Sequence, residues 1–210
     1  MKILWIEDFA GNPSAKLNAG TVKQCFGTFV SSIEDDLNIL QNIKSKTEEL
    51  KQVLLKNIHP IHWCDGFISG LQAINEDGPF DIVLLDADLP FGYTVLFSLK
   101  DASENTNKEI ERLKKEGLYP EYLMPTGQPQ QNKDTLQAGR ILYFYLIQHK
   151  GYDPDRIIFL SAHLVEESGI KEAFHEAKAV SPTIFIKDTK DKKEEFVYHL
   201  ESFANKEYIT

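Results

Sequence analysis

Cysteine is scarce in this chain, which carries only two, Cys25 and Cys64, among its 210 residues. The two thiols lack the sequence spacing of metal ligands. No apolar run approaches the roughly 20 residues that a membrane-spanning helix needs. The N-terminus has neither a signal-peptide core nor a transit-peptide composition. We therefore expect a cytoplasmic protein with no membrane association, whose two thiols stay reduced and buried.

Basic residues are in the minority as well, with 23 lysines and arginines against 32 aspartates and glutamates, for a net charge of −9. A nucleic-acid surface or an anionic membrane surface would need clustered positive charge, and no basic block is present. The composition argues against both kinds of partner. The length of 210 residues fits a single domain over residues 1–210 with large insertions better than it fits two domains.

Short apolar runs predict five β-strands. Residues 2–6 (KILWI) and 81–85 (DIVLL) are nearly unbroken apolar runs, which is typical of strands buried on both faces of a parallel sheet. Residues 156–160 and 183–186 show the same pattern. The run at 59–63 is weaker and contains a proline, which suits an edge strand.

Helical patterns separate these runs, at residues 66–76, 134–149, 166–179 and 191–204. A repeated strand, helix, strand order implies right-handed crossover connections between parallel strands. The predicted fold is therefore α/β, with a doubly wound five-stranded parallel sheet. We expect the strand order 2-1-3-4-5.

Two stretches exceed what such a sheet needs, and we place insertions at about 9–36 and 91–133. Apolar positions at three- and four-residue steps over residues 9–57 predict one or two long helices, with a break at Gly27 or at the following serine pair. Core packing is the favoured role of this apolar stripe. A homodimer or partner surface on part of it is the open alternative.

The second insertion combines a charged helix near residues 104–116, most simply a solvated one, with a polar tract at 125–133 that is rich in proline and glutamine. Such tracts do not bury enough apolar surface to fold alone. Because this insertion follows a predicted central strand, we expect it to lie over or beside the carboxyl end of the sheet.

Polar residues stand where the predicted strands stop. These residues are Glu7 and Asp8 after ILWI, Asp86 after IVLL, Ser161 after IIFL and Lys187 after IFI. Ligands of open α/β sheets bind beyond the carboxyl ends of the strands, at the point where the strand order reverses. In the order 2-1-3-4-5 that point lies between strands 1 and 3, so Glu7, Asp8 and Asp86 are expected to converge.

Three clustered carboxylates repel one another unless a cation neutralises them. Mg²⁺ suits such a site, because it accepts one or two carboxylates and shares its remaining positions with water and phosphate oxygens. An ionised aspartate beside Mg²⁺ is able to attack a phosphoryl group and form an acyl phosphate. Asp86 is the candidate nucleophile, while Lys187 and Ser161 would supply a positive charge and a hydroxyl donor.

Five segments in chain order carry a resemblance to a known family. They are KILWIED, DGFISGLQAI, FDIVLLDADLP, IIFLSAH and TIFIK. Together they resemble the response-regulator receiver domain of two-component signalling, which has a flavodoxin-like fold. The resemblance covers nearly the whole chain apart from the two insertions.

The resemblance implies a role for each strand-end residue. Asp86 would be the phosphoacceptor, and Mg²⁺ would be bound by Glu7, Asp8, Asp86 and the backbone carbonyl of Asp88. Ser161 and Lys187 would sense the phosphoryl group. The implied partners are a sensor histidine kinase or phosphotransfer protein and a downstream protein. Such a domain catalyses only its own phosphorylation and dephosphorylation and is not a turnover enzyme.

Two positions depart from the family pattern. Asp188 follows Lys187 where the family usually has proline, and Ile184 stands at the position of the family's switch aromatic. The neighbouring Phe185 would point to the opposite face of the sheet. These departures leave open a degenerate receiver-like scaffold that binds partners without phosphorylation. The order of Asp86 and Asp88, then Ser161 and Lys187, also resembles that of haloacid-dehalogenase-type phosphatases, which is the second alternative.

Overall fold

Five parallel β-strands form the centre of the computed structural model, which describes residues 1–7, 17–41, 47–86, 89, 104–115, 137–161, 182–186 and 190–206. The strands are β1 (Ile3–Ile6), β2 (Ile61–Cys64), β3 (Ile82–Asp86), β4 (Ile157–Ser161) and β5 (Thr183–Ile186). They lie in the order β2-β1-β3-β4-β5, and every neighbouring pair is parallel. The predicted strand order is confirmed, and the arrangement is flavodoxin-like.

Helices flank the sheet on both faces. They are α1 (Ala19–Phe26), a 3-10 helix (Gly27–Ile33), α2 (Glu34–Gln41), α3 (Thr47–Leu55), α4 (Phe67–Glu76), α5 (Glu104–Lys115), α6 (Gln137–Lys150) and α7 (Lys190–Lys206). Helices α4, α6 and α7 confirm three predicted helices, whereas the helix predicted at 166–179 and the tract at 125–133 lie outside the described residues. Within the described ranges, no helix combines the length and the apolar character needed to cross a membrane.

The side chains of the central strands are buried on both faces of the sheet. In β1, Leu4 and Ile6 join the core beneath α4, α5 and α6, whereas Ile3 and Trp5 join the core beneath α1, α2, α3 and α7. We call these faces the α6 side and the α7 side. Strand β3 alternates in the same way. Burial on both faces explains why neither strand carries a polar residue before its end.

The N-terminal helical region differs from the prediction of one or two long helices. Its described part contains three short α-helices and a 3-10 helix. Helix α1 begins at an Asn18 cap, whose Oδ1 accepts a hydrogen bond from the Thr21 amide at 3.0 Å, and it ends at Gly27 with φ of +52°. The break at Gly27 was expected. The prediction failed because successive short helices that wrap one core repeat apolar residues at the same spacing as a single long helix.

Strand β5 presents its two central side chains to opposite faces. Ile184 packs against the α6-side core, and Phe185 is buried in the α7-side core. The Phe185 ring lies 5.4 Å from the ring of Phe196 and 5.1 Å from that of His199, both on α7. The expectation that Phe185 cannot take the place of an aromatic at position 184 is confirmed.

Helix α5 of the second insertion is more firmly packed than its charged sequence suggested. It contacts α4, and its Leu113 is 0% exposed within the α6-side core. Five other side chains of the helix are exposed, namely Glu104, Lys108, Glu111, Arg112 and Lys115. The expectation of a merely solvated helix was therefore wrong, because Leu113 anchors α5 to the domain.

Replacing Leu113 by alanine is expected to lower the free energy of unfolding by about 2–5 kcal/mol, since it removes a fully buried side chain and leaves a cavity. Urea denaturation measures the change. Lys115→Ala, on an exposed position of the same helix, serves as the control and should stay within about 0.5 kcal/mol of the parent. A Leu113 variant as stable as this control would contradict the packing of α5.

Candidate functional site

Glu7 and Asp86 lie side by side at the carboxyl end of the sheet. Strands β1 and β3 pair through Ile6 and Leu85, and one residue further along each strand come Glu7 and Asp86. Neighbouring strands are about 4.8 Å apart. Both acidic residues are buried, with exposures of 3% for Glu7 and 5% for Asp86. The structure thus brings together one predicted carboxylate from each central strand.

The backbone of Glu7 is held by the edge strand. Its amide donates a hydrogen bond to the carbonyl of Cys64 at 3.0 Å, which extends the β1–β2 ladder by one rung. Its carbonyl accepts a hydrogen bond from Nε1 of Trp63 at 3.0 Å. Both polar groups of the Glu7 backbone are therefore fixed to β2.

Asp86 is the last residue of β3 and pairs with Leu160 of β4. Three residues further on, Leu89 is fully buried in the α6-side core. The chain is therefore anchored to the domain both at Asp86 and shortly after it.

Helix α6 approaches Asp86 closely through Gly139. A Cβ atom at Gly139 would lie 3.0 Å from the carbonyl oxygen of Asp86 and 3.2 Å from the ring of Phe159. A side chain at this position would require the Asp86 carbonyl or the Phe159 ring to shift by a few tenths of an ångström, so glycine suits this close approach to the end of β3. Gly139 was not among the predicted site residues, although a glycine inside an apolar helical pattern is a recognised sign of close packing.

The other predicted site residues are placed only in part. Ser161 is the last residue of β4 and pairs with Ile186, the last residue of β5. Since Asp86 pairs with Leu160, the Ser161 backbone lies one residue further along the strand next to Asp86. Asp8, Asp88 and Lys187, together with Asp188, lie outside the described residues. Within the described part, the site comprises Glu7, Asp86 and the Ser161 backbone.

Two carboxylates buried at neighbouring positions repel each other, and a divalent cation is one means of offsetting that repulsion. Carboxylate oxygens are hard donors that suit Mg²⁺, so Glu7 and Asp86 fit the predicted metal by their chemistry. Among the described residues, no group of three or more His, Cys, Asp or Glu side chains could hold a metal ion. Asp8 and Asp88, which complete the predicted set, are not among those residues.

Cys64 lies next to the site but has the wrong chemistry for it. Burial, with a smaller contribution from the charge of Asp65, raises the pKa of the Cys64 thiol to about 12. Because the thiolate is the nucleophilic and metal-binding form of cysteine, the thiol is inert near neutral pH. Cys64 therefore contributes packing and a backbone carbonyl to the site.

Comparisons of the chain with family models, with curated proteins and with solved structures found no significant match. The class of protein therefore follows from the fold and the site alone. It is a flavodoxin-like α/β domain with a buried acidic pair where its strand order reverses.

At about pH 8 the native protein is expected to react with an alkylating reagent at Cys25 well before Cys64. Cys25 is partly exposed, whereas the raised pKa of Cys64 leaves almost none of it as thiolate. Peptide mass spectrometry follows the two rates, and the urea-unfolded protein, in which both thiols react freely, is the control. Equal rates in the native protein would contradict the burial of Cys64.

Gly139→Ala is expected to destabilise the protein by about 1 kcal/mol. Alanine normally gains about 1 kcal/mol over glycine inside a helix. Here the added methyl group crowds the Asp86 carbonyl and the Phe159 ring, and overpacking of this kind costs about 1–3 kcal/mol. Urea denaturation tests this expectation. A stability gain close to the helix-propensity difference would show that α6 does not approach β3 so closely.

Proposed function

We propose that this chain is a receiver-type phosphoacceptor domain of two-component signalling, in which Asp86 takes up a phosphoryl group in a Mg²⁺-dependent reaction. The observation that carries the proposal is the pair Glu7 and Asp86, buried side by side at the carboxyl ends of β1 and β3. In a sheet of order 2-1-3-4-5, these two strands flank the point where ligands bind.

The proposed reaction is a transfer to the Asp86 carboxylate. One of its oxygens attacks the phosphorus of the donor, and a new oxygen–phosphorus bond forms while the bond from phosphorus to the leaving group breaks. The leaving group is acetate when acetyl phosphate is the donor, and imidazole when the donor is a phosphohistidine. Attack of water on the acyl phosphate later releases inorganic phosphate and restores the carboxylate. The protein thus acts once on itself and does not turn over a substrate.

Mg²⁺ would be held by Glu7, Asp8, Asp86 and the backbone carbonyl of Asp88. When bound, it supplies positive charge to the transferring phosphoryl group. Lys187 and Ser161 would bind the phosphoryl oxygens by charge and by a hydroxyl hydrogen bond. The low exposure of Asp86, at 5%, would limit the approach of water, and this would favour a long-lived acyl phosphate.

The proposal also names the partners that such chemistry requires. A sensor histidine kinase or a histidine phosphotransfer protein would donate the phosphoryl group, and a downstream protein would recognise the phosphorylated form. All of these events would take place in the cytoplasm. The net charge of −9 makes nucleic acid an unsuitable direct target.

One observation supports a second candidate, a receiver-like scaffold that binds partners without phosphorylation. The buried ring on β5 belongs to Phe185 on the α7 side, while Ile184 packs on the α6 side. Position 184 therefore has no aromatic side chain that could serve as the family's switch residue.

The position of Asp86 argues against the phosphatase alternative. Asp86 ends the third strand, whereas haloacid-dehalogenase-type enzymes carry the corresponding aspartate on their first strand.

Incubation with acetyl phosphate and Mg²⁺ is expected to add one phosphoryl group to the wild-type protein and none to Asp86→Asn, because the amide is not a nucleophile. Intact-mass spectrometry measures the addition, and EDTA should abolish it. Asp65→Asn changes an exposed aspartate that follows β2 at the same edge of the sheet and should be phosphorylated like the wild type. Glu7→Gln should require more Mg²⁺.

The alternatives give different results in the same assay. Repeated turnover of a chromogenic phosphomonoester would favour the phosphatase. A protein that neither gains a phosphoryl group nor hydrolyses the ester would favour the scaffold. Phosphorylation of Asp86→Asn to the wild-type extent would contradict the assignment of the nucleophile.

A further inference from the structure

We propose that Trp63 is a positioning residue for the acidic pair, and that its indole N–H sets the affinity of the site for Mg²⁺. This inference deepens the proposed function and rests on it. The positioning role rests on the hydrogen bond that Trp63 Nε1 donates to the carbonyl oxygen of Glu7 at 3.0 Å.

The edge strand ends too early to hold Glu7 by backbone bonds alone. Strand β2 pairs with β1 up to Ile6 and Cys64, and the Glu7 amide makes one further bond to the Cys64 carbonyl. Beyond Cys64 the chain bends at residues 65–66 and enters α4. It therefore no longer runs alongside β1, and the indole N–H supplies a donor to the Glu7 carbonyl at that level.

The bonded carbonyl belongs to the peptide unit that joins Glu7 to Asp8. A peptide unit is planar, so fixing the direction of its C=O fixes the whole plane. That plane fixes the backbone at Glu7, from which the carboxylate side chain extends. One hydrogen bond from β2 therefore restrains the backbone that carries the Glu7 carboxylate.

The indole is itself held in place. Trp63 is half-buried and packs against the α7-side core. Nζ of Lys51 on α3 lies 5.3 Å from the centre of the Trp63 ring, within the range of a cation–π contact, and Lys51 also forms an ion pair with Glu48 at 2.8 Å. These contacts hold the ring in place, so its N–H is preorganised toward Glu7.

A cation binds more tightly when the backbone that carries its ligand side chains is already ordered than when binding has to order it. Loss of one hydrogen bond of this kind corresponds to about a fivefold change in an equilibrium constant. Trp63 touches neither the phosphoryl group nor the metal in this scheme. Its loss should therefore raise the Mg²⁺ requirement and leave the rate of phosphorylation at saturating Mg²⁺ close to that of the wild type.

Two variants test the inference. Trp63→Phe keeps an aromatic ring and removes the N–H donor, and site-specific replacement of Trp63 by benzothienylalanine keeps the bicyclic shape while sulfur takes the place of the N–H group. Lys56→Met is the matched control, because it removes an exposed lysine directly after α3 and leaves the indole and the contacts that hold it unchanged. Titration calorimetry with Mg²⁺ alone measures binding, and phosphorylation by acetyl phosphate is followed over a range of Mg²⁺ concentrations.

Both Trp63 variants are expected to bind Mg²⁺ about fivefold more weakly, with thermal unfolding in EDTA showing that they remain folded. In the wild type, the indole N–H resonance of Trp63 should shift when Mg²⁺ is added, because its acceptor belongs to a metal ligand. The Lys56 variant should bind Mg²⁺ nearly as the wild type does.

Wild-type Mg²⁺ affinity in either Trp63 variant, alongside normal phosphorylation of the wild type, would overturn the positioning role and leave the proposed function standing. Loss of affinity in Trp63→Phe with full affinity in the benzothienylalanine variant would also overturn it, since packing and not the N–H would then matter. A wild-type protein that neither binds Mg²⁺ nor accepts a phosphoryl group would overturn both proposals.

Discussion

Burial of two apolar strands on both of their faces is the constraint on which the rest of this structure depends. Strands β1 and β3 have core on the α6 side and core on the α7 side, so neither can carry a charge until it leaves the sheet. Because the strands are parallel neighbours in register, they leave it at the same level. The hydrophobic free energy of the core thus places Glu7 beside Asp86.

Around this pair the domain supplies rigid support from several elements. The edge strand holds the Glu7 backbone through Cys64 and Trp63. Helix α6 closes on Asp86 where Gly139 leaves room for it. Strand and helix ends are well suited to this task, because each contributes one fixed backbone position and leaves side chains free to meet a ligand.

Much of the fold was predictable because unbroken apolar runs have few explanations other than strands buried on both faces. The same patterns located Glu7 and Asp86. The succession of short helices in residues 19–41 and 47–55 was not predictable, because the apolar spacing does not tell where short helices turn around a shared core. Leu113 and Trp63 were missed for a related reason: they act through tertiary contacts, and a single leucine or tryptophan leaves no pattern along the sequence. Gly139 did leave a signal, as a glycine inside an apolar helical pattern, but that signal does not tell which strand the helix approaches.

The buried Phe185 ring of β5 has a consequence for truncated versions of the chain. Phe185 is enclosed by Phe196 and His199, and Leu200 of the same helix is fully buried beneath it in the α7-side core. Removing α7 would uncover a continuous apolar surface on the sheet, of the kind that drives aggregation. Helix α7 is therefore needed to cover this face of the sheet, and any truncated protein used for binding studies has to retain it.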